Sequence, residues 1–269
     1  MPLTPWREAV TLPILPSFQE PAWNLDDLYK ALEHAHHHCG NAVWNPYITL
    51  CLSGGLDSSL SLAILVKLFG ARRITACTIG SDPDHPDVRY AKMAAETFGV
   101  SHAILIPTKP QIDRAKIELA MIPGEDVSDG NAGVLLFYQF LNGCNIKKII
   151  SHDGIDELVG GYWPHRQYEG NENLQCEDFD AQWKRLADVH LHPLERKALI
   201  CGVDVVFPYL QREVIEYIRR IPLCERTSKA ESKMPLRALA RRLGVPEPII
   251  ARRKIGFCSA LALPESLPS

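Results

Sequence analysis

Short apolar runs that alternate with stretches of helical period are what most constrain this chain. "YITLCL" (residues 47–52), "RITACTI" (73–79), "HAILI" (102–106) and "KKIIS" (147–151) are brief and rich in β-formers. Between them, "SSLSLAILVKLFG" reads as a helix closed by Gly70. Val88, Ala91, Ala95 and Phe98 mark one face of a second helix ended by Gly99, and "NAGVLLFYQFLNG" reads as a third. Strands that alternate with helices imply crossovers and a parallel sheet, so the expected class is α/β. After about residue 170 the pattern changes. "FDAQWKRLADVHLHPLERKALI", "LQREVIEYIRRI" and "KMPLRALARRLG" all have helical period, with Leu210, Val214, Ile218 and Ile221 the clearest stripe. The expected organisation is an N-terminal extension (1–24), an α/β part (25–170) and a helical part (171–269).

With 269 residues, 46% of them hydrophobic and 23% charged, the chain can bury a full core. A net charge of −3 supplies no basic field for holding nucleic acid non-specifically. Prolines interrupt the apolar part of the N-terminus, unlike a signal peptide, and the longest greasy run contains Lys67, so no membrane span is expected. Eight dispersed cysteines without a CxxC pair read as reduced, buried thiols, and the expected location is cytoplasmic. "HAHHHC" (34–39) follows helical spacing at Leu25, Leu28 and Leu32. Consecutive histidines point around a helix rather than converging on a metal, so this stretch reads as a solvated helix end. Arg241–Arg242 likewise reads as a solvated face.

The stretch "LCLSGGLDSSL" (50–60) breaks a greasy run with residues that are hard to bury. It falls where a strand gives way to a helix, the position at which parallel sheets bind ligands. Glycines let the backbone approach closely, and the helix start offers unpaired N–H groups with a partial charge of about +0.5. Ser53, Ser58 and Ser59 add hydroxyls, so the loop is an anion cradle suited to phosphate. Neither GxxxxGK[ST] nor GxGxxG occurs. Asp57 would repel a bare phosphate, but it makes sense as a Mg²⁺ ligand.

"SGGLDSS" resembles the signature loop of the ATP pyrophosphatase (PP-loop) superfamily, which cleaves ATP between the α- and β-phosphates and grips the departing pyrophosphate. A second motif narrows the choice. "SHDGIDELVGGY" (151–162) follows the fourth strand and closely resembles the asparagine synthetase segment Ser-Gly-Glu-Gly-x-Asp-Glu-x-Phe-Gly-Gly-Tyr. "TIGSDPDHPDVRYAKMAAETFGVSH" resembles that family's second strand, adenosine-side loop and following helix. "VFPYLQREVIEYIRRIP" resembles its Pro-Phe-Leu-Asp helix, and "KMPLRALARRLGVPEPIIARRKIGF" resembles its closing Lys-x-x-Leu-Arg and Arg-x-Lys-x-Gly-Phe run. The match is collinear from about residue 25 to 258.

The resemblance implies a PP-loop core with a helical C-terminal part, and ATP and Mg²⁺ as cofactors. Asp57 and Asp156 match the family's Mg²⁺-binding aspartates. Ser53, Gly54, Gly55, Ser58 and Ser59 match its pyrophosphate grip, and Gly154 the same motif's triphosphate contact. Leu52, Thr78 and Gly80 lie where the family meets adenosine. Lys254 matches the lysine that stabilises charge around the α-phosphate, a role worth about 3 kcal/mol for one well-placed donor. Asp153 stands where the family has the glutamate proposed as base on the attacking nitrogen. It is one methylene shorter, and the preceding residue is His152, which either relays protons or only packs. The β-lactam and carbapenam synthetases carry a tyrosine near this position, and this chain does not.

The implied reaction is an AMP- and pyrophosphate-forming ligation. A carboxylate attacks the α-phosphorus, an acyl-adenylate forms, and a nitrogen nucleophile yields the amide. Full asparagine synthetases begin with a glutaminase domain whose nucleophile is a cysteine freed at the chain start. Here Pro2 follows Met1 and the first strand begins near Tyr47, so the expectation is a chain without glutaminase. Nitrogen then comes from free ammonia, an amine substrate or a separate glutaminase subunit. A homodimer is compatible with the sequence, and membrane or nucleic-acid partners are not expected. Two rivals stay open: a tRNA-modifying or sulfur-transferring PP-loop enzyme, and a non-catalytic nucleotide-binding subunit.

Overall fold

A computed structural model describes residues 6–16, 22–44 and 46–252. The four expected strands form where the apolar runs stand: β1 (Ile48–Cys51), β2 (Ile74–Ile79), β3 (Ser101–Leu105) and β4 (Lys148–Ile150). A fifth, β5 (Asp204–Val206), lies inside the stretch expected to be helical and is a correction to that reading. The sheet is wholly parallel in the order β3-β2-β1-β4-β5. The chain leaves β1 toward β2 and β3 and returns on the other side of β1 to β4. The carboxyl ends of β1 and β4 therefore flank the switch point, where an open α/β sheet leaves a crevice.

Helices cover both faces, because successive side chains of each strand point to opposite sides. Ile48, Leu50, Ile74, Ala76 and Ile150 face one core. Onto it pack α2 (Leu25–Val43), α3 (Leu56–Phe69), α4 (Pro86–Phe98), α7 (Ile155–Val159), α9 (Glu172–Leu186), α11 (Arg212–Ile218), α13 (Met234–Arg242) and α14 (Glu247–Ala251). Cys77, Ile79 and Ile149 face the other core, closed by α5 (Lys109–Ala120), α6 (Asp129–Gly143) and α10 (His192–Ile200). Short helices α1 (Trp6–Ala9), α8 (Pro164–Gln167) and α12 (Leu223–Arg226) complete the set. Each fully buried Leu or Ile removes enough apolar surface for about 1.5–3 kcal/mol. The stripe Leu210, Val214, Ile218 and Ile221 is wholly buried, as its spacing predicts.

Local signals set the ends. Asn24 caps α2 by accepting from Asp27 N at 2.9 Å. Thr108 and Gln111 form a capping box at α5, a helix the apolar pattern does not reveal because only Ala115 and Leu119 are buried. The histidine-rich stretch is not a helix end, since α2 runs on to Val43. His36 is fully buried, with Nδ1 2.7 Å from Leu32 O and Nε2 2.8 Å from Ser61 Oγ. His34 instead meets Glu213 and His37 stacks on Phe69, so the rings diverge. Of the described cysteines, all free, Cys39, Cys77 and Cys201 are buried, while Cys144 and Cys224 are exposed, contrary to a uniformly buried set. Among the described residues no helix is long and apolar enough to cross a membrane.

Candidate active site

The first loop is held at the tip of β1. Leu52 N donates to Cys77 O at 2.8 Å, extending the β1–β2 ladder to the loop's first residue. Gly54 has φ +65°, and a Cβ there would lie 2.4 Å from Ala91 N, so only glycine lets the loop press onto α4. Ser53 Oγ and Ser58 Oγ are 3.2 Å apart, and Ser58 donates to Gly55 O at 3.3 Å, which folds the loop over the N-terminus of α3. That helix has 14 residues and begins at Leu56, so its first N–H groups face the loop. Ser59 Oγ is buried without a hydrogen-bond partner among the described residues.

The second loop follows β4. Ser151 N donates to Val206 O at 2.9 Å, so the overlooked strand β5 fixes where this motif starts. Gly154 (φ +88°) turns the chain into α7, and Leu210 occupies the space of any Cβ there. Asp156 is 5% exposed, and a Cβ on Gly161 would fall 1.7 Å from its Oδ1, so glycine makes room for the carboxylate.

Asp57 and Asp156, far apart in sequence, meet at one cation. Lys233 Nζ lies 2.5 Å from Asp57 Oδ2 and 2.7 Å from Asp156 Oδ1. Lys233 is 4% exposed and has φ +57°, an uncommon conformation for a non-glycine residue. It precedes α13, where a positive charge opposes the helix dipole unless anions surround it. Sequence reasoning placed this lysine in a family run but gave it no role. Its position at a helix start was the available signal. The cleft around it is lined by Ser53, Gly55, Asp57, Asp87, Gly161, Lys233, Arg237 and Arg252. Arg252 closes one wall. It donates to Ser53 O (3.3 Å) and Gly54 O (3.2 Å), pairs with Asp87, and lies over the Tyr90 ring at 4.7 Å. Arg237 and Arg252 stand in the same family runs and were likewise given no role. Lys254 falls outside the described residues.

Tyr209 backs the site from the core, its hydroxyl donating to Asp57 O at 2.9 Å. The residues expected on the adenosine side follow β1 and β2. Thr78 is buried and donates to Leu52 O at 2.5 Å, while His102 Nε2 lies 2.7 Å from the same hydroxyl. The Thr78 side chain is thus spent between strands, and only backbone from Leu52, Thr78 and Gly80 is left to face a nucleotide. Val88 sits 2.3 Å from where a Gly80 Cβ would stand.

Asp153 accepts from Ser151 Oγ at 2.6 Å and is 2.7 Å from His190 Nε2. Burial pushes its pKa up, but the bonds from His190 and Ser151 outweigh that and hold it at about 2. His152 sets its ring edge against Tyr209, with centroids 6.1 Å apart and Nε2 shut off from solvent. Burial takes its pKa to about 3, so the ring is neutral near pH 7 and packs rather than relays protons.

Two carboxylates facing a phosphate cradle suit Mg²⁺, which commonly takes one or two carboxylates and completes its shell with phosphate oxygens and water. Asp57 Oδ1 is buried with no hydrogen-bond partner among the described residues, which leaves it available as a ligand. Among those residues no cluster of three or more metal-binding side chains occurs.

Comparison with known proteins identifies a family. The asparagine synthase family model matches residues 42–200 and 180–266. A probable glutamine-hydrolysing asparagine synthetase of Acanthamoeba polyphaga mimivirus is 26% identical over 81% of this chain and 40% of its own length. Asparagine synthetase B of Escherichia coli is 28% identical over 73% of this chain and 37% of its own. A putative asparagine synthetase of Methanocaldococcus jannaschii is 26% identical over 69% and 35%. The chain thus spans about two fifths of the length of these curated relatives. An NMN synthetase structure from Francisella tularensis aligns with 73% of this chain and 93% of that one, at 17% identity and a TM-score of 0.38. With the family model covering most of its length and both signature loops facing one crevice, this chain belongs to the asparagine synthase family.

Proposed function

We propose that the chain is an ATP-dependent, AMP- and pyrophosphate-forming ligase that joins a carboxylate to a nitrogen nucleophile through an acyl-adenylate. The observation that carries this reading is the meeting of Asp57 and Asp156 at Lys233 beside the serine-glycine loop. Mg²⁺ bound by these two aspartates would neutralise phosphate oxygens. The loop backbone, the hydroxyls of Ser53, Ser58 and Ser59, and the α3 N-terminus hold the pyrophosphate end. Lys233 and Lys254 supply positive charge as the bond at the α-phosphorus breaks. Backbone at Leu52, Thr78 and Gly80 borders the nucleoside, and Gly154 gives the second loop its turn. Asp153 serves the later step, in which nitrogen attacks the acyl carbon. The protein mainly positions reactants and offers fixed charge.

The sulfur-transfer reading is weakened by the thiols of β1 and β2. Burial raises Cys51 well above the usual thiol range and pushes Cys77 up to about 12, so neither is a ready nucleophile. The test is exchange of labelled pyrophosphate into ATP with a panel of carboxylic acids. Carboxylate-dependent exchange with AMP as the nucleotide product is expected. Formation of ADP, or turnover that needs tRNA, would overturn the reading.

A further inference from the structure

We propose that Arg252 is the positioning residue of the phosphate loop, which it orients from an anchor built of Asp87 and Tyr90. This inference rests on the reading that the loop holds the pyrophosphate end of ATP. It gives a role to a residue outside both signature loops.

Two successive carbonyls, Ser53 O and Gly54 O, accept from Arg252 Nη1 at 3.3 and 3.2 Å. A trans peptide unit points its N–H opposite to its C=O. The N–H groups of the same two units, those of Gly54 and Gly55, are therefore turned away from the guanidinium. Arg252 in this way sets the direction of two donors in a loop suited to offering donors to an anion. The same contact offsets two partly negative oxygens beside Ser53 and Gly55, which line the cleft and would otherwise oppose a phosphate there.

A strut must itself be fixed, and Arg252 is held on two further sides. Its Nη2 pairs with Asp87 in the first turn of α4, and the two side chains are 8% and 9% exposed. Its guanidinium carbon lies 4.7 Å from the centre of the Tyr90 ring, three residues along the same helix. Gly54 returns to that helix as well, since a Cβ on it would stand 2.6 Å from Tyr90 Cβ. Gly54, Tyr90 and Arg252 thus close a triangle, each packed on the other two. Lysine could not replace this fork, because an ammonium is a point charge without the planar, divided donors of arginine.

Binding of Mg-ATP and of AMP would be measured by isothermal titration calorimetry. The proteins are wild type, Arg252→Lys, Asp87→Asn and Tyr90→Leu. Arg252→Lys and Asp87→Asn are expected to bind Mg-ATP about tenfold or more weakly, the low end for a hydrogen bond involving a charged group. AMP lacks the two outer phosphates and should bind all four proteins alike. Direct contact between Arg252 and phosphate predicts the opposite sign for Asp87→Asn, since losing the carboxylate beside the guanidinium would tighten binding. Wild-type or tighter Mg-ATP affinity in Asp87→Asn therefore overturns the assignment, as does wild-type affinity in Arg252→Lys. Equal loss of ATP and AMP affinity also overturns it, in favour of a general loosening of the cleft. Should Asp87→Asn not fold, Tyr90→Leu decides, because it leaves every charge in place. A loss of about threefold in Mg-ATP affinity is expected there, the worth of a cation–π contact, and unchanged affinity overturns the assignment. Neither ligand has to react, so the outcome is read apart from the exchange assay that tests the ligase. A wild type that fails to bind Mg-ATP overturns both.

Discussion

Gly161 and Asp156 occupy one another's space: a Cβ on the glycine would lie 1.7 Å from Asp156 Oδ1. The carboxylate reaches Lys233 because the residue five positions on has no side chain. Gly161→Ala is therefore expected to displace Asp156 from the crevice. A displacement near 1 Å at a reacting centre can cost about 100-fold in rate. Pyrophosphate exchange should fall by about that factor while the far-UV circular dichroism stays native.

Lys233 holds two acids in a nearly dry site. Lys233→Met would take from Asp57 and Asp156 the cation they share. Removing one partner of a buried charge cluster costs about 3–5 kcal/mol. A loss of that size in urea unfolding is expected, with exchange abolished. Mg-ATP should restore part of the stability if the aspartates bind the ion, since a ligand held only by the native state stabilises it. A variant as stable as wild type would refute the charge-cluster account.

How much of this was legible beforehand depended on whether the signal was local. β1 to β4 announce themselves as apolar runs, and Asp57 and Asp156 lie inside compact motifs. β5 is only three residues, "DVV", embedded in helical sequence, although Gly202 and Pro208 bracket a β-branched run that could have marked it. Lys233 and Arg252 were not given roles because each makes its contacts far along the chain. Lys233 reaches Asp57 across 176 positions, and Arg252 reaches Asp87 across 165. His36 was misjudged for a related reason: period alone does not say that α2 continues to Val43 and turns that ring onto Ser61.

A second buried charge pair lies away from the crevice. Lys197 and Glu125, with side chains 1% and 2% exposed, tie α10 to the segment between α5 and α6, and Lys197 also donates to Pro193 O. Glu125→Ala strands the ammonium and should cost about 3–5 kcal/mol. The double variant Glu125→Leu with Lys197→Met should recover most of that loss, because an apolar pair of similar volume avoids the desolvation cost of two ions. Urea denaturation of the three proteins measures the difference, and a double variant no more stable than Glu125→Ala would refute it.

Acid should weaken the fold through its buried histidines. Burial lowers His36 to about 4 and His152 to about 3, against about 6.5 for an unfolded histidine. Between these values the unfolded chain binds protons that the native chain does not. Stability therefore rises with pH in this window. It is fully present above about pH 6.5 and is lost as pH falls toward 4. Asp153, held at about 2, adds loss only below the ordinary carboxylate range. His36 is wholly buried, so its share is on the order of 3 kcal/mol at about 1.4 kcal/mol per pH unit. Urea unfolding from pH 7 to pH 4 should show this decline. His36→Gln should be less stable at pH 7 yet decline less steeply, because glutamine brings no titrating group. Parallel slopes for the two proteins would mean that His36 is charged in the native state.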